Sequence, residues 1–192
     1  MRLQWKSFWC VVVLALAVSS AQAMKVENVN LDDQITLADA PLVLNGAGVR
    51  KAYFIKAYVA GMYLPRKSSR KDEIVQIKGP KRFQMVMLMG ADSKEFNKAL
   101  IKGMTRNSSP EEFSRLEMRM HAFEKIIDSF ERVRAGDIVL MDYLPTTGTV
   151  VSVNGRVHGS PIGGEDFYGK LLEIFIGEHV ADEHLRQHLL GK

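Results

Sequence analysis

The chain has 192 residues, 46% of them hydrophobic and 25% charged, with a formal net charge of +4. These values exclude a disordered or collagen-like chain, since apolar residues are plentiful and Gly and Pro follow no period. The length fits one domain, which at this size buries about two-thirds of its extended surface and needs neither disulfide nor metal to fold.

Residues 1–23 read as a leader. Arg2 and Lys6 form a basic start, Phe8 to Val18 is an unbroken apolar run, and Ser19-Ser20-Ala21-Gln22-Ala23 ends in an A-x-A pattern. That order is the pattern of a secretory signal peptide, and the apolar run falls short of the ~20 residues that span a bilayer. The expectation is cleavage after Ala23, with a periplasmic or secreted domain over 24–192. An uncleaved anchor, or a start at Met24 giving a cytosolic chain, are the alternatives. Without 1–23 the chain keeps 24 basic and 22 acidic residues, a net of +2. That is too little for a nucleic-acid footprint. The single cysteine, Cys10, goes with the leader. Its loss excludes disulfides, thiolate metal sites and cysteine nucleophiles from the mature chain.

In chain order, residues 24–45 predict extended structure, with Val26, Val29, Leu31, Ile35 and Leu37 roughly alternating with polar residues. Asn45-Gly46-Ala47-Gly48 predicts a turn. Residues 49–64 are β-rich and predict one long strand, with a break near Gly61. The basic run from Arg66 to Lys71, closed by Asp72, predicts a solvated loop or helix start, or else a contact with an anionic surface. Residues 82–89 alternate as a strand does, with Phe83, Met85, Met87 and Met89 on one face.

Asp92 and Glu95 predict a capping box for a helix with the stripe Phe96, Leu100, Ile101 and Met104. Ser109, Pro110 and Glu112 predict a second helix start. Its stripe of Phe113, Leu116, Met120, Phe123, Ile127 and Phe130 carries it to near Val133. Residues 138–144, 149–153 and 156–162 predict strands, the last two joined by the hairpin signal Asn154-Gly155. Residues 165–176 predict a helix closed by Gly177 as a C′ glycine, and Asp182 caps a short last helix. Strands, two helices, hairpin strands and helices in that order argue for an α+β domain, with helices packed on an antiparallel sheet.

Few residues point to chemistry. Gly46 and Gly48 lead into a strand and not a helix, which argues against a phosphate loop. Of the five histidines, only His184 and His188 have the i, i+4 spacing of a zinc pair, and no third ligand is evident. No cofactor and no metal is therefore expected. The methionines Met85, Met87 and Met89, with Met62, Met104, Met118, Met120 and Met141, are core filler or the lining of a greasy pocket. Arg50 stands out. An arginine beside an apolar cavity anchors a carboxylate or carbonyl, because its rigid fork donates two bonds. The alternative is a surface arginine at a strand end.

The sequence also resembles a family. Gly46-Ala47-Gly48-Val49-Arg50, then Phe54-Ile55-Lys56 and Gly61-Met62-Tyr63-Leu64, resemble the opening strands of chalcone isomerase. Leu172-Glu173 with Ile176-Gly177-Glu178-His179, and Leu185 further on, resemble that family's C-terminal signature. Gly136-Asp137, Asn154-Gly155 and Asp166-Phe167-Tyr168 resemble its bacterial chalcone isomerase-like branch. The resemblance spans nearly all of 24–192. It implies an open-faced β-sandwich, a large antiparallel sheet covered by a layer of helices, with a ligand cleft between them.

Plant members cyclise chalcones in that cleft with an arginine, two threonines, a tyrosine and an asparagine. A sister branch binds fatty acids with an arginine and a tyrosine at the carboxylate. Carried onto this chain, the arginine falls at Arg50, the first threonine at Tyr58, the tyrosine at Phe96, the asparagine at Gly103 and the second threonine at Ile174. Phe96, Gly103 and Ile174 offer no side-chain donor. Oriented donors of this kind are worth ~3–4 kcal/mol each, so flavonoid cyclisation should be very weak. Tyr58, or Tyr53, could supply a compensating hydroxyl.

The favoured reading is a non-catalytic module that holds a small apolar or amphipathic anion, such as a fatty acid, with its head group at Arg50. An isomerase (an intramolecular lyase) acting on a phenolic or enone substrate is the second reading. An interaction protein that uses the fold's surface is the third. No nucleic-acid partner is expected. A membrane surface and a protein partner are both compatible with the sequence.

Overall fold

The structure, a computed structural model, describes residues 23–52 and 54–192. The expected leader other than Ala23, and Tyr53, lie outside the described residues. The elements in chain order are β1 (Ala23–Val26), β2 (Val29–Asp32), β3 (Gln34–Leu37), β4 (Ala40–Ala52), β5 (Ile55–Leu64), α1 (Lys71–Gln76), β6 (Lys81–Met87) and β7 (Ala91–Asp92). There follow α2 (Ser93–Arg106), α3 (Pro110–Asp128), β8 (Arg132–Val133), β9 (Ile138–Leu144), β10 (Gly148–Val153), β11 (Arg156–Ile162), α4 (Glu165–Ile176) and α5 (Glu183–Leu189).

Seven strands form one antiparallel sheet in the order β11-β10-β9-β6-β5-β4-β3, while β1–β2 and β7–β8 make two short pairs. Alternation along each strand divides its side chains between two faces. On the inner face lies the main core, which includes Met62, Phe83, Met85, Met120, Phe123 and Phe167 under the helices. On the outer face, a second cluster of Leu31, Leu42, Leu44, Ala47, Val59 and Tyr63 is closed by the N-terminal strands. This is the α+β, helix-on-sheet architecture expected from the order of the elements.

Two predicted features change place. The turn expected at residues 45–48 is interior to β4, and the strand expected over 49–64 is a hairpin that reverses between Ala52 and Ile55, not at Gly61. Gly46 and Gly48 have a packing reason. A Cβ at Gly46 would stand 2.0 Å from the His188 carbonyl oxygen, and one at Gly48 would stand 2.9 Å from the His188 Cβ. The glycines bring α5 against the strand backbone. Asn45 is the extra residue of a β-bulge between Leu44 and Gly46, and its side chain donates to the Leu189 carbonyl at 2.7 Å.

The helix starts divide as well. At Ser109 the capping box forms, but Asp92 makes no side-chain cap at the start of α2, so the box expected with Glu95 is absent. Helix α3 ends at Asp128, one turn short of Val133. Gly177 ends α4 in an extended conformation (φ −70°, ψ −170°), not a left-handed one. It is small because a Cβ there would stand 2.4 Å from Asn107 Oδ1.

Candidate functional site

Sheet and helices do not meet everywhere. At the end of the sheet where β4, β5 and β6 leave the core, a cavity of about 430 Å³ opens between them and the helix layer. That size is within the ~300–1,000 Å³ typical of ligand sites. Its floor carries Tyr58, Met85 and Met87, its roof Phe96, Leu100 and Ile174, and Arg50 and Asp182 stand at one side.

A second bulge sets the floor. Arg50 pairs with Tyr58 in register, but Lys51 pairs with Lys56, so Ala57 is an extra residue in β5. The extra residue reverses the alternation, and Ile55, Ala57 and Tyr58 all line the cavity as a result. On β4 the inner face reads Gly46, Gly48, Arg50 and Ala52. The first two admit α5, and Arg50 reaches the start of that helix.

Asp182 receives it there. Its Oδ1 accepts the Leu185 N–H at 3.0 Å, which caps α5. Its Oδ2 accepts the Lys51 N–H at 2.8 Å and lies 3.3 Å from Arg50 Nη1. Arg50 Nη1 also donates to the Lys51 carbonyl. The Tyr58 hydroxyl also lies within hydrogen-bonding reach of the Arg50 guanidinium. Burial opposes ionisation of Asp182, but the backbone N–H groups of Leu185 and Lys51 and the Arg50 charge outweigh it, and the pKa lies below the ordinary aspartate value. Burial drives the Tyr58 phenol well above its ordinary value, with Arg50 opposing and Asp182 adding to the shift. The phenol therefore stays protonated and able to donate at any physiological pH.

The structure brings four of the five expected residues together, since Arg50, Tyr58, Phe96 and Ile174 all line the cavity. Gly103 does not line it. It is the contact point of α2 with α4, where a Cβ would stand 2.6 Å from Ile174 Cγ2. Of the methionine stripe, Met85, Met87 and Met89 line the cavity, whereas Met62, Met104, Met120 and Met141 are buried in the core and Met118 is exposed. The reading from sequence missed Asp182 as the partner of Arg50. Its capping position was legible, but nothing local ties it to a strand 132 residues earlier. Glu95, at the cavity edge, was read only as a capping residue. Among the described residues, no group of three or more His, Cys, Asp or Glu is placed to hold a metal ion. No helix among them is long and apolar enough to cross a membrane.

Comparison with solved structures finds the same fold in the crystal structure of an Arabidopsis thaliana fatty-acid binding protein, with a TM-score of 0.67 at 14% identity. The match covers 88% of this chain and 96% of that one. No curated protein sequence gives a significant match. The chalcone isomerase-like family model matches residues 23–191, and the chain belongs to that family.

Proposed function

We propose that this protein binds, without transforming, a small apolar anion such as a fatty acid, and does so as a periplasmic or secreted domain. One observation carries the reading: an apolar cavity of ligand size has Arg50, Tyr58 and Asp182 together on one side, with Glu95 at its edge. The tail of the ligand lies among Met85, Met87, Phe96 and Leu100, where flexible methionines fit irregular chains. The head group meets the Arg50 fork and the protonated Tyr58 hydroxyl beside it. Asp182 balances the Arg50 charge when the cavity holds no anion, so the guanidinium is never buried alone. Catalysis by conjugate addition needs further oriented donors, and Phe96 and Ile174 on the roof supply none. The shared fold of a fatty-acid binding protein supports the same reading. The leader pattern supports export.

Native mass spectrometry of the protein purified from its source, followed by organic extraction, tests it. The expected result is a bound amphipathic anion whose affinity falls roughly 10–100-fold in Arg50→Ala, the loss of a charge-assisted pair. A protein that is empty and ignores fatty acids overturns the reading. Turnover of a phenolic enone that Arg50→Ala abolishes would replace it with the isomerase reading.

A further inference from the structure

We propose that the open end of the cavity docks on an anionic lipid bilayer, with the tip of the β4–β5 hairpin entering the headgroup layer. Phe54 at the tip is 102% exposed, Ile55 beside it 54% and Met89 39%. Single exposed apolar residues are ordinary, but here Phe54 and Ile55 adjoin at the hairpin tip and Met89 is held beside its base. Ile55 and Met89 also line the cavity, so the exposed apolar surface continues into its interior. The Leu88 N–H donates to the Ala57 carbonyl at 2.9 Å, which holds the segment carrying Met89 against the base of the hairpin.

Charge complements this tip. Lys51 and Lys56 are register partners across its base, and both are exposed. Lys56 Nζ pairs with Glu27 at 2.8 Å, and Lys51 has no carboxylate within ion-pair distance among the described residues. A phenylalanine at headgroup depth with two exposed lysines at the base of its hairpin, one of them without a carboxylate partner among the described residues, matches the arrangement by which surface-bound proteins rest on anionic lipid. An amphipathic ligand dissolves poorly in water and well in a bilayer. A mouth pressed to the membrane lets it pass from one apolar medium to the other. That transfer rests on the ligand reading above; the docking itself does not.

The protein, purified as its host processes it, is sedimented with vesicles of phosphatidylglycerol and phosphatidylcholine, and with vesicles of phosphatidylcholine alone. Binding is expected to the first and weaker binding to the second. It falls at least about tenfold in the double variant Phe54→Ser, Ile55→Ser. Phe54→Trp gives a second readout, because Trp5 and Trp9, the chain's two tryptophans, both lie in the leader. The emission of this variant should shift to the blue on vesicles and be quenched by brominated acyl chains. Absence of sedimentation, sedimentation unchanged in the double variant, or emission of the Phe54→Trp variant that the brominated chains leave unquenched overturns the docking. So does a dimer that the serine substitutions dissolve in the absence of vesicles, which would assign the tip to a second copy. Extraction of the same samples keeps the two readings apart. Ligand bound without vesicle binding refutes the docking alone, and an empty protein that docks refutes the ligand reading alone.

Discussion

The interface between sheet and helices has a packed end and an open end. At the packed end Phe83 stacks on Phe175 with centroids 4.0 Å apart, Phe123 meets Phe167 edge-on at 5.8 Å, and the buried Tyr168 hydroxyl donates to the Met141 carbonyl at 2.9 Å. At the open end five alanines, Ala52, Ala57, Ala91, Ala99 and Ala181, and three methionines share the lining with the rings of Tyr58, Phe96 and Phe175. The same two layers enclose both. What differs is side-chain volume: rings interlock across the gap in one place, and alanine methyls leave room beside the rings in the other. Phe175 is the wall between them, stacked on one side and lining the cavity on the other. The hollow is thus written into the side chains, and a well-packed end carries the stability that it does not.

Substitutions at the two ends should therefore behave differently. Phe123→Ala, which empties the packed end, should lower the unfolding free energy by ~3–5 kcal/mol in urea titration and leave the affinity for ligand largely intact in whatever protein remains folded. Arg50→Met, at the open end, should weaken ligand binding by ~1.5–3 kcal/mol in calorimetry. Asp182→Asn keeps a capping side chain but removes the charge facing Arg50. It should lower stability by about 1 kcal/mol at pH 7 and tighten binding of an anionic ligand, whose carboxylate no longer competes for the fork. The pH dependence of that loss has a fixed sign. Because the folded pKa of Asp182 lies below 3.8, its contribution is present above pH ~4 and is lost as pH falls through the folded value. Urea unfolding at pH 7 and pH 3 should show the difference between native and Asp182→Asn shrinking. Ala99→Phe should change stability by less than about 1 kcal/mol while it obstructs the cavity. A large loss of stability there would mean that the open end is packed after all.

Sequence periodicity identified the elements wherever one local signal governed them. Asn154 and Gly155 take φ values of 50° and 80° as their hairpin signal demands, and the Ser109 capping box forms. The tight turn between β3 and β4 escaped because Ala38 and Asp39 hold φ values of 49° and 61°. Alanine carries no turn signature, and the strand pairing imposes that conformation on it. Gly46 and Gly48 misled for the opposite reason. They are glycines for the sake of a helix that arrives some 140 residues later, and composition alone cannot separate close approach from a turn. That Arg50 faces the cavity was legible because a charged residue among apolar strand positions is anomalous. Its partner was not: the cap at Asp182 is local and legible, but the bulge at Ala57 and the approach of Asp182 to β4 are consequences of tertiary pairing.

The Arg50–Asp182 pair has a consequence for the order of events in folding. Its members are 132 positions apart. The β4–β5 hairpin closes through neighbours in sequence, but the polar side of the cavity is shut only by a helix from the far end of the chain. At ~5–20 residues per second Arg50 is made roughly ten seconds before Asp182, and an exported chain keeps that order as it emerges. The contacts of highest sequence separation are also the slowest to form. The binding site should be the last part of the molecule to assemble, and a chain stalled before α5 would show an apolar trough with a bare guanidinium at its rim.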